Sequence, residues 1–96
     1  MLIYHSKGFA KAYKKLPQTV KTLAEDKEDI FRQNLFDPRL KTHKLSGKLS
    51  EFYVFSISNH WRIVFHFEDE QTVIFDMIGT HEIYRWAIRY KVLDTI

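Results

Sequence analysis

Trp61-Arg62-Ile63-Val64-Phe65-His66-Phe67 alternates with a period of two, the pattern of a half-buried strand. Trp61, Ile63, Phe65 and Phe67 fall on one face, which is apolar enough to pack on a helical layer. Arg62, Val64 and His66 fall on the other face, which carries two basic groups and reads as facing solvent. On either side lie two more β-branched and aromatic runs, residues 52–58 and 72–78. Ser58-Asn59-His60 and Glu68-Asp69-Glu70-Gln71 separate the three runs and suit tight antiparallel turns.

Upstream the period changes to that of a helix. Phe9, Ala12, Tyr13 and Leu16 recur at helical spacing after Ser6, a good N-cap, and predict a helix over residues 7–16. Pro17 ends it and suits the first turn of a second helix. There Val20, Leu23, Ala24, Ile30, Phe31 and Leu35 form an apolar stripe, with Glu25, Asp26, Glu28 and Asp29 on the wet side. Asp37-Pro38 stops this helix, because a residue before proline avoids the α region. Residues 39–50 read as a polar connection. Leu2-Ile3-Tyr4 reads as a short opening strand, and residues 82–93 as a short closing helix with Ile83, Trp86, Ala87 and Tyr90 on one side. The fold class that follows is α+β: an N-terminal helical hairpin on one face of a small antiparallel sheet, the other face open, and a short C-terminal helix.

The chain of 96 residues shows no repeat, linker or low-complexity tract, so residues 1–96 are expected to form one domain. There is no cysteine, which excludes disulfides and thiolate chemistry. Residues 1–6 lack a signal-peptide pattern, and no apolar run approaches the ~20 residues that span a bilayer. A cytoplasmic protein without a membrane partner is expected. The net charge of +3 hides an asymmetry: residues 1–48 carry +6 and residues 49–96 carry −3. A basic half favours a polyanion or an acidic protein partner.

Chemistry has few places to reside. The five histidines, His5, His43, His60, His66 and His81, show no metal-ligand spacing, and the three glycines are isolated, so no phosphate loop exists. No metal and no cofactor are expected. What remains is a set of His, Arg, Lys and Tyr in the sheet half. Cleaving RNA without a metal requires a base near the 2′-hydroxyl, cations on the phosphorane and an acid for the leaving 5′-oxygen. Histidine suits acid or base, arginine suits the phosphate, and tyrosine or tryptophan can stack a base. Plainer readings stand beside this one. Arg62 is also placed to pair with an acid such as Asp76, Tyr84 and Trp86 to fill a core, and Lys41, Lys44 and Lys48 to be a solvated loop.

Leu45-Ser-Gly-Lys-Leu49, Phe52-Tyr-Val-Phe-Ser-Ile57, Trp61-Arg-Ile-Val-Phe65 and Ile78-Gly-Thr-His-Glu-Ile-Tyr84 occur in an order that resembles the RelE/ParE superfamily of bacterial toxins, and more closely its RelE/YafQ-like branch. The resemblance runs through most of the chain up to about Arg85. It implies the toxin of a type II toxin–antitoxin system, a ribosome-dependent and metal-independent mRNA endoribonuclease leaving 2′,3′-cyclic phosphate and 5′-hydroxyl ends. It implies a cognate antitoxin, the ribosome and mRNA as partners, with operator DNA reached only through the antitoxin.

In residue terms the resemblance implies His81 as general acid and Arg62 on the scissile phosphate. It implies His43 or His60 as the group that assists the 2′-hydroxyl: His43 lies where the branch carries another active-site histidine, His60 in a turn where it carries an acid. Tyr84 falls near an aromatic that orients substrate, and Lys41, Lys44, Lys48 and Arg85 fall among RNA or ribosome contacts. The ParE branch shares the fold and targets DNA gyrase, so a gyrase poison or an inactive protein-binding relative is the alternative.

Overall fold

The computed structural model describes residues 1–94. The elements run β1 (Leu2–His5), α1 (Lys7–Lys14), α2 (Gln18–Gln33), β2 (His43–Lys44), β3 (Tyr53–Ser56), β4 (Arg62–Asp69), β5 (Thr72–Gly79) and α3 (Ile83–Asp94). They form one sheet in the order β1-β5-β4-β3-β2.

Local chemistry sets the helix ends. The Ser6 hydroxyl accepts from the backbone N–H of Phe9 at 2.9 Å and caps α1. Pro17, fixed at φ −58°, sits just ahead of α2. The second helix ends at Gln33, four residues ahead of Asp37, and Asn34 leaves it in an extended conformation. Pro38–Leu40 and Gly47–Leu49 form short 3₁₀ turns.

The helical hairpin buries Phe9, Val20, Ala24 and Phe31 against Phe55, Ile63, Phe65, Val73 and Phe75. Phe31 is the centre: its ring lies 4.8 Å from that of Phe55, 5.0 Å from Phe65 and 5.3 Å from Phe75. Edge-on and offset contacts of this kind add to the burial itself. The apolar face of β4 is therefore the face expected to pack on helices.

Three expectations need correction. The sheet is mixed, because β1 pairs parallel to β5, whereas the other pairings are antiparallel. The polar connection contains a strand, β2, whose His43 and Lys44 pair with Val54 and Tyr53. The second face of β4 is not open along its length. Val64 is fully buried there, in a small core with Phe52, Val54 and Ile83 that α3 and the 3₁₀ turn at Gly47–Leu49 help to close. Valine between an arginine and a histidine is the residue that needs this cover.

Two features of β5 bear on the site. Val64 pairs with Met77 and Phe65 with Phe75, so Asp76 is an extra residue, a β-bulge with nothing opposite it. Its carbonyl accepts from the Ser6 hydroxyl at 2.9 Å, which ties the start of α1 to the bulge. At the strand end, a Cβ on Gly79 would stand 2.7 Å from Cγ2 of Ile83. Only glycine lets α3 turn so closely off the sheet.

Candidate functional site

The β3–β4 turn is built by one hydroxyl. Ser58 Oγ accepts from the backbone N–H groups of His60 at 3.2 Å and Trp61 at 3.1 Å. This tight turn points the carbonyls of Ser58 and Asn59 back toward β4. Arg62 Nη1 donates to both, each at 3.4 Å. These are long bonds to neutral acceptors, and the guanidinium has five N–H donors to offer. No carboxylate of the described residues forms an ion pair with Arg62. Its charge is steered but not neutralised.

Arg62 stands opposite Gly79, the last residue of β5. Two residues later the chain reaches His81, in the turn that leads into α3. The register therefore carries His81 to the same end of the sheet as Arg62. Asn59, His60, Arg62, Thr80 and His81 line one cleft of about 280 Å³ there, room for roughly nine waters at bulk density. His60 and His81 are exposed and Arg62 is half-buried. The cleft wall offers a guanidinium, two imidazoles, an amide and a hydroxyl. It also lies at the N-terminal end of α3, where the helix dipole favours an anion by roughly 0.3–1 kcal/mol. Chemically, this is a recess for an oxyanion with proton donors and acceptors beside it.

Other residues singled out in the sequence lie elsewhere. His43, on β2, is in register with Val54 and, through it, with Val64. That leaves it two strands and two positions from Arg62, roughly 12 Å between Cα atoms. It does not line the cleft, and its Nδ1 is within 2.9 Å of the Lys41 carbonyl oxygen. Tyr84 is half-buried against the small core under α3. Arg85, Lys44 and Lys48 are exposed and outside the cleft. Lys41 lines a neighbouring recess round the edge of β3.

Asp76 does not pair with Arg62. Its carboxylate meets His66, with Nδ1 and Oδ2 2.7 Å apart, and His66 Nε2 lies 3.4 Å from Glu68 Oε2. Burial alone would lower the His66 pKa, but the hydrogen bond and charge of Asp76, backed by Glu68, outweigh it and the value is raised. Asp76 is raised as well, chiefly by burial, against the pull of His66. A strong ion pair by itself would lower the carboxylate, so desolvation of Asp76 is the larger effect there. Four residues along β4 from Arg62, this pair stands ~13 Å from the cleft and supports the sheet and not the site.

Sequence reasoning missed Asn59 and Thr80 as lining residues and Ser58 as the builder of the turn. Ser58-Asn59 carried a turn signal, but nothing local says that its carbonyls hold an arginine.

No family model and no curated protein matches the chain. Solved structures do match. The YoeB/ParE toxin of Agrobacterium tumefaciens superposes with a TM-score of 0.72 at 14% identity, over 84% of this chain and 99% of that one. The toxin of the E. coli DinJ–YafQ toxin–antitoxin complex gives 0.68 at 18% identity, over 84% and 92%. The archaeal RelE–RelB complex of Pyrococcus horikoshii OT3 gives 0.66 at 14% identity, over 82% and 92%. What these structures share with this chain is one small α+β architecture. This chain has the RelE/YafQ toxin fold, as its sequence resemblance implies; at such identity the likeness is one of fold.

Proposed function

We propose that this protein is the toxin of a type II toxin–antitoxin pair and that it cleaves mRNA in the translating ribosome. One observation carries the reading: an arginine with no carboxylate partner among the described residues faces a cleft whose other titratable groups are two histidines. Such a set matches in-line attack of a 2′-hydroxyl on its own phosphate. The 2′-oxygen bonds to phosphorus as the bond to the 5′-oxygen breaks. His60 takes the 2′-hydroxyl proton, His81 gives a proton to the departing 5′-oxygen, and Arg62 holds the non-bridging oxygens as their charge grows. The products are a 2′,3′-cyclic phosphate and a 5′-hydroxyl. His60 is favoured over His43 as base because it lines the cleft.

No metal enters this scheme. The cleft is small and shallow, with few groups to orient a strand, so the ribosome supplies orientation and free RNA is a poor substrate. Neighbours on this fold were solved as toxin–antitoxin complexes. By that likeness the partner here is an antitoxin whose acidic side chains meet the basic surface, and operator DNA is contacted through the antitoxin's own domain. No helix of the described residues is long and apolar enough to cross a membrane, and the substrate belongs to the cytoplasm.

Induced expression of the wild type, Arg62→Ala and His81→Ala, followed by primer extension on a reporter mRNA, tests the reading. Expected are growth arrest and discrete mRNA ends for the wild type only, with both variants still folded and still bound by the antitoxin. Intact mRNA with a DNA-damage response identifies a gyrase poison. A harmless wild type identifies an inactive relative.

A further inference from the structure

A second cationic recess lies beside the first. Strand β2 pairs only with Val54 and Tyr53, so the edge of β3 beyond them has no strand alongside among the described residues. Lys27 from α2 and Arg39 and Lys41 from the connection after it line this edge, with Ser56, Ser58 and Asn59, around about 160 Å³.

Its charges are unequal in availability. Arg39 is held by Asp37 in a two-point pair, Nε–Oδ1 3.0 Å and Nη2–Oδ2 2.9 Å. That pair keeps the Asp37 carboxyl down to about 2. Lys27 and Lys41 form no ion pair with a described carboxylate, although the Lys27 charge also helps to hold Asp37 down, so Lys41 is the more available of the two. Lys41 is also the one non-glycine residue with positive φ, 54°, among the described residues. A left-handed conformation costs a residue with a Cβ roughly 1–2 kcal/mol. It persists here with the Lys41 carbonyl oxygen 2.9 Å from Nδ1 of His43. Backbone strain of this kind fixes where a side chain starts and gathers at functional positions.

The two recesses share a wall. Asn59 lines both, and Ser56 of the second stands directly opposite Arg62 of the first. Two adjoining cationic recesses, both open to solvent, suit a ligand with repeated negative charge better than a single enclosed anion.

We infer that the Lys27–Lys41 recess binds a phosphate neighbouring the scissile one on the same RNA strand. This deepens the proposed function and rests on it. Lys27 and Lys41 neutralise the neighbouring phosphate, and the Ser56 and Ser58 hydroxyls add donors. The strand then crosses the β3–β4 turn at Asn59, which fixes its register on Arg62.

The test uses the full chain carrying His81→Ala, which prevents cleavage, and short single-stranded RNAs of one to six nucleotides. Binding is followed by NMR and, across a salt series, by fluorescence anisotropy. Lys27→Gln keeps the side-chain stem and Lys41→Gly keeps the left-handed backbone. Each is expected to reduce the slope of log K against log salt by about 0.7 for the longer RNAs, the loss of one single-strand phosphate contact. Neither should change mononucleotide binding to the Arg62 cleft, read from the shifts of His60 and Thr80, which line that cleft and not the second recess. Unchanged slopes in both variants overturn the inference; if Arg62→Ala still weakens binding in that case, the proposed function survives. A wild-type cleft that gives no shifts at millimolar RNA overturns both. The same lysine substitutions are also made with His81 intact; loss of ribosome-dependent cleavage there, with no effect on oligonucleotide binding, assigns the lysines to ribosomal RNA and overturns the substrate subsite.

Discussion

Arg62 and Gly79 are cross-strand partners, and this pairing is what brings a strand arginine and a loop histidine to one cleft. The guanidinium projects from the first residue of β4, and His81 follows the last residue of β5 by two positions. Neither group depends on a long loop for its placement. Both rest on the register of two eight-residue strands.

Arg62→Lys separates charge from geometry. Lysine keeps the positive charge but loses the planar fork that meets two phosphate oxygens at once. Ribosome-dependent cleavage is expected to fall by ~100-fold or more, close to the loss in Arg62→Ala, with thermal unfolding nearly unchanged. Full activity in the lysine variant removes the bidentate role.

His81 as general acid has its own signature. His81→Ala is expected to slow cleavage by ~10²–10⁴-fold on ordinary RNA. A substrate whose 5′-oxygen is replaced by sulfur needs no proton on its leaving group. That substrate should be cleaved almost equally by His81→Ala and the wild type, and still slowly by His60→Ala. If sulfur rescues His60→Ala instead, the two roles are reversed.

Gly79 is tested by one methyl group. Alanine there must displace Ile83, which is buried and stiff at its branched Cβ. Denaturant titration of Gly79→Ala is expected to show a loss of ~1–3 kcal/mol. The variant should also lose cleavage beyond its loss of folded protein, because α3 moves and carries His81 with it. Wild-type activity per folded molecule counts against this coupling.

The His66–Asp76 pair gives the fold a pH dependence. The folded pKa of His66 is raised, so its stabilisation is complete below the unfolded value near 6.5 and is lost as pH rises through the folded value. Asp76 is raised too, so ionising it costs stability as pH climbs above its ordinary value of 3.8. Both effects have the same sign. The stability gap between wild type and His66→Gln is expected to be larger at about pH 6 than at about pH 9. Equal gaps refute the assignment.

The sequence carried the sheet where the signal was local. Alternation across 61–67 needs only neighbouring residues, and the structure keeps the apolar face it defined. What failed was set by partners distant in the chain. The direction in which β1 joins β5 is written in neither strand alone. Strand β2, two residues long, cannot display a period. Val64 was the hint that the second face has a cover, yet the cover comes from α3. For the site, Arg62, His60 and His81 were legible because turns and strand ends fix them. His43 was linked to them by its closeness to Leu45 in the chain, whereas its register with Val54 holds it two strands away.

Leu2–His5 pairs with Thr72–Phe75, and Ser6 meets the Asp76 carbonyl across 70 residues of chain. During synthesis the first strand therefore waits, unpaired and with Ile3 bare, until the last strand has left the ribosomal tunnel. Contacts of such long sequence separation form slowly and leave sticky edges uncovered meanwhile. The Arg62 cleft depends on the same late strand, so under the proposed function a nascent chain is open to capture by a chaperone or antitoxin before its cleft exists.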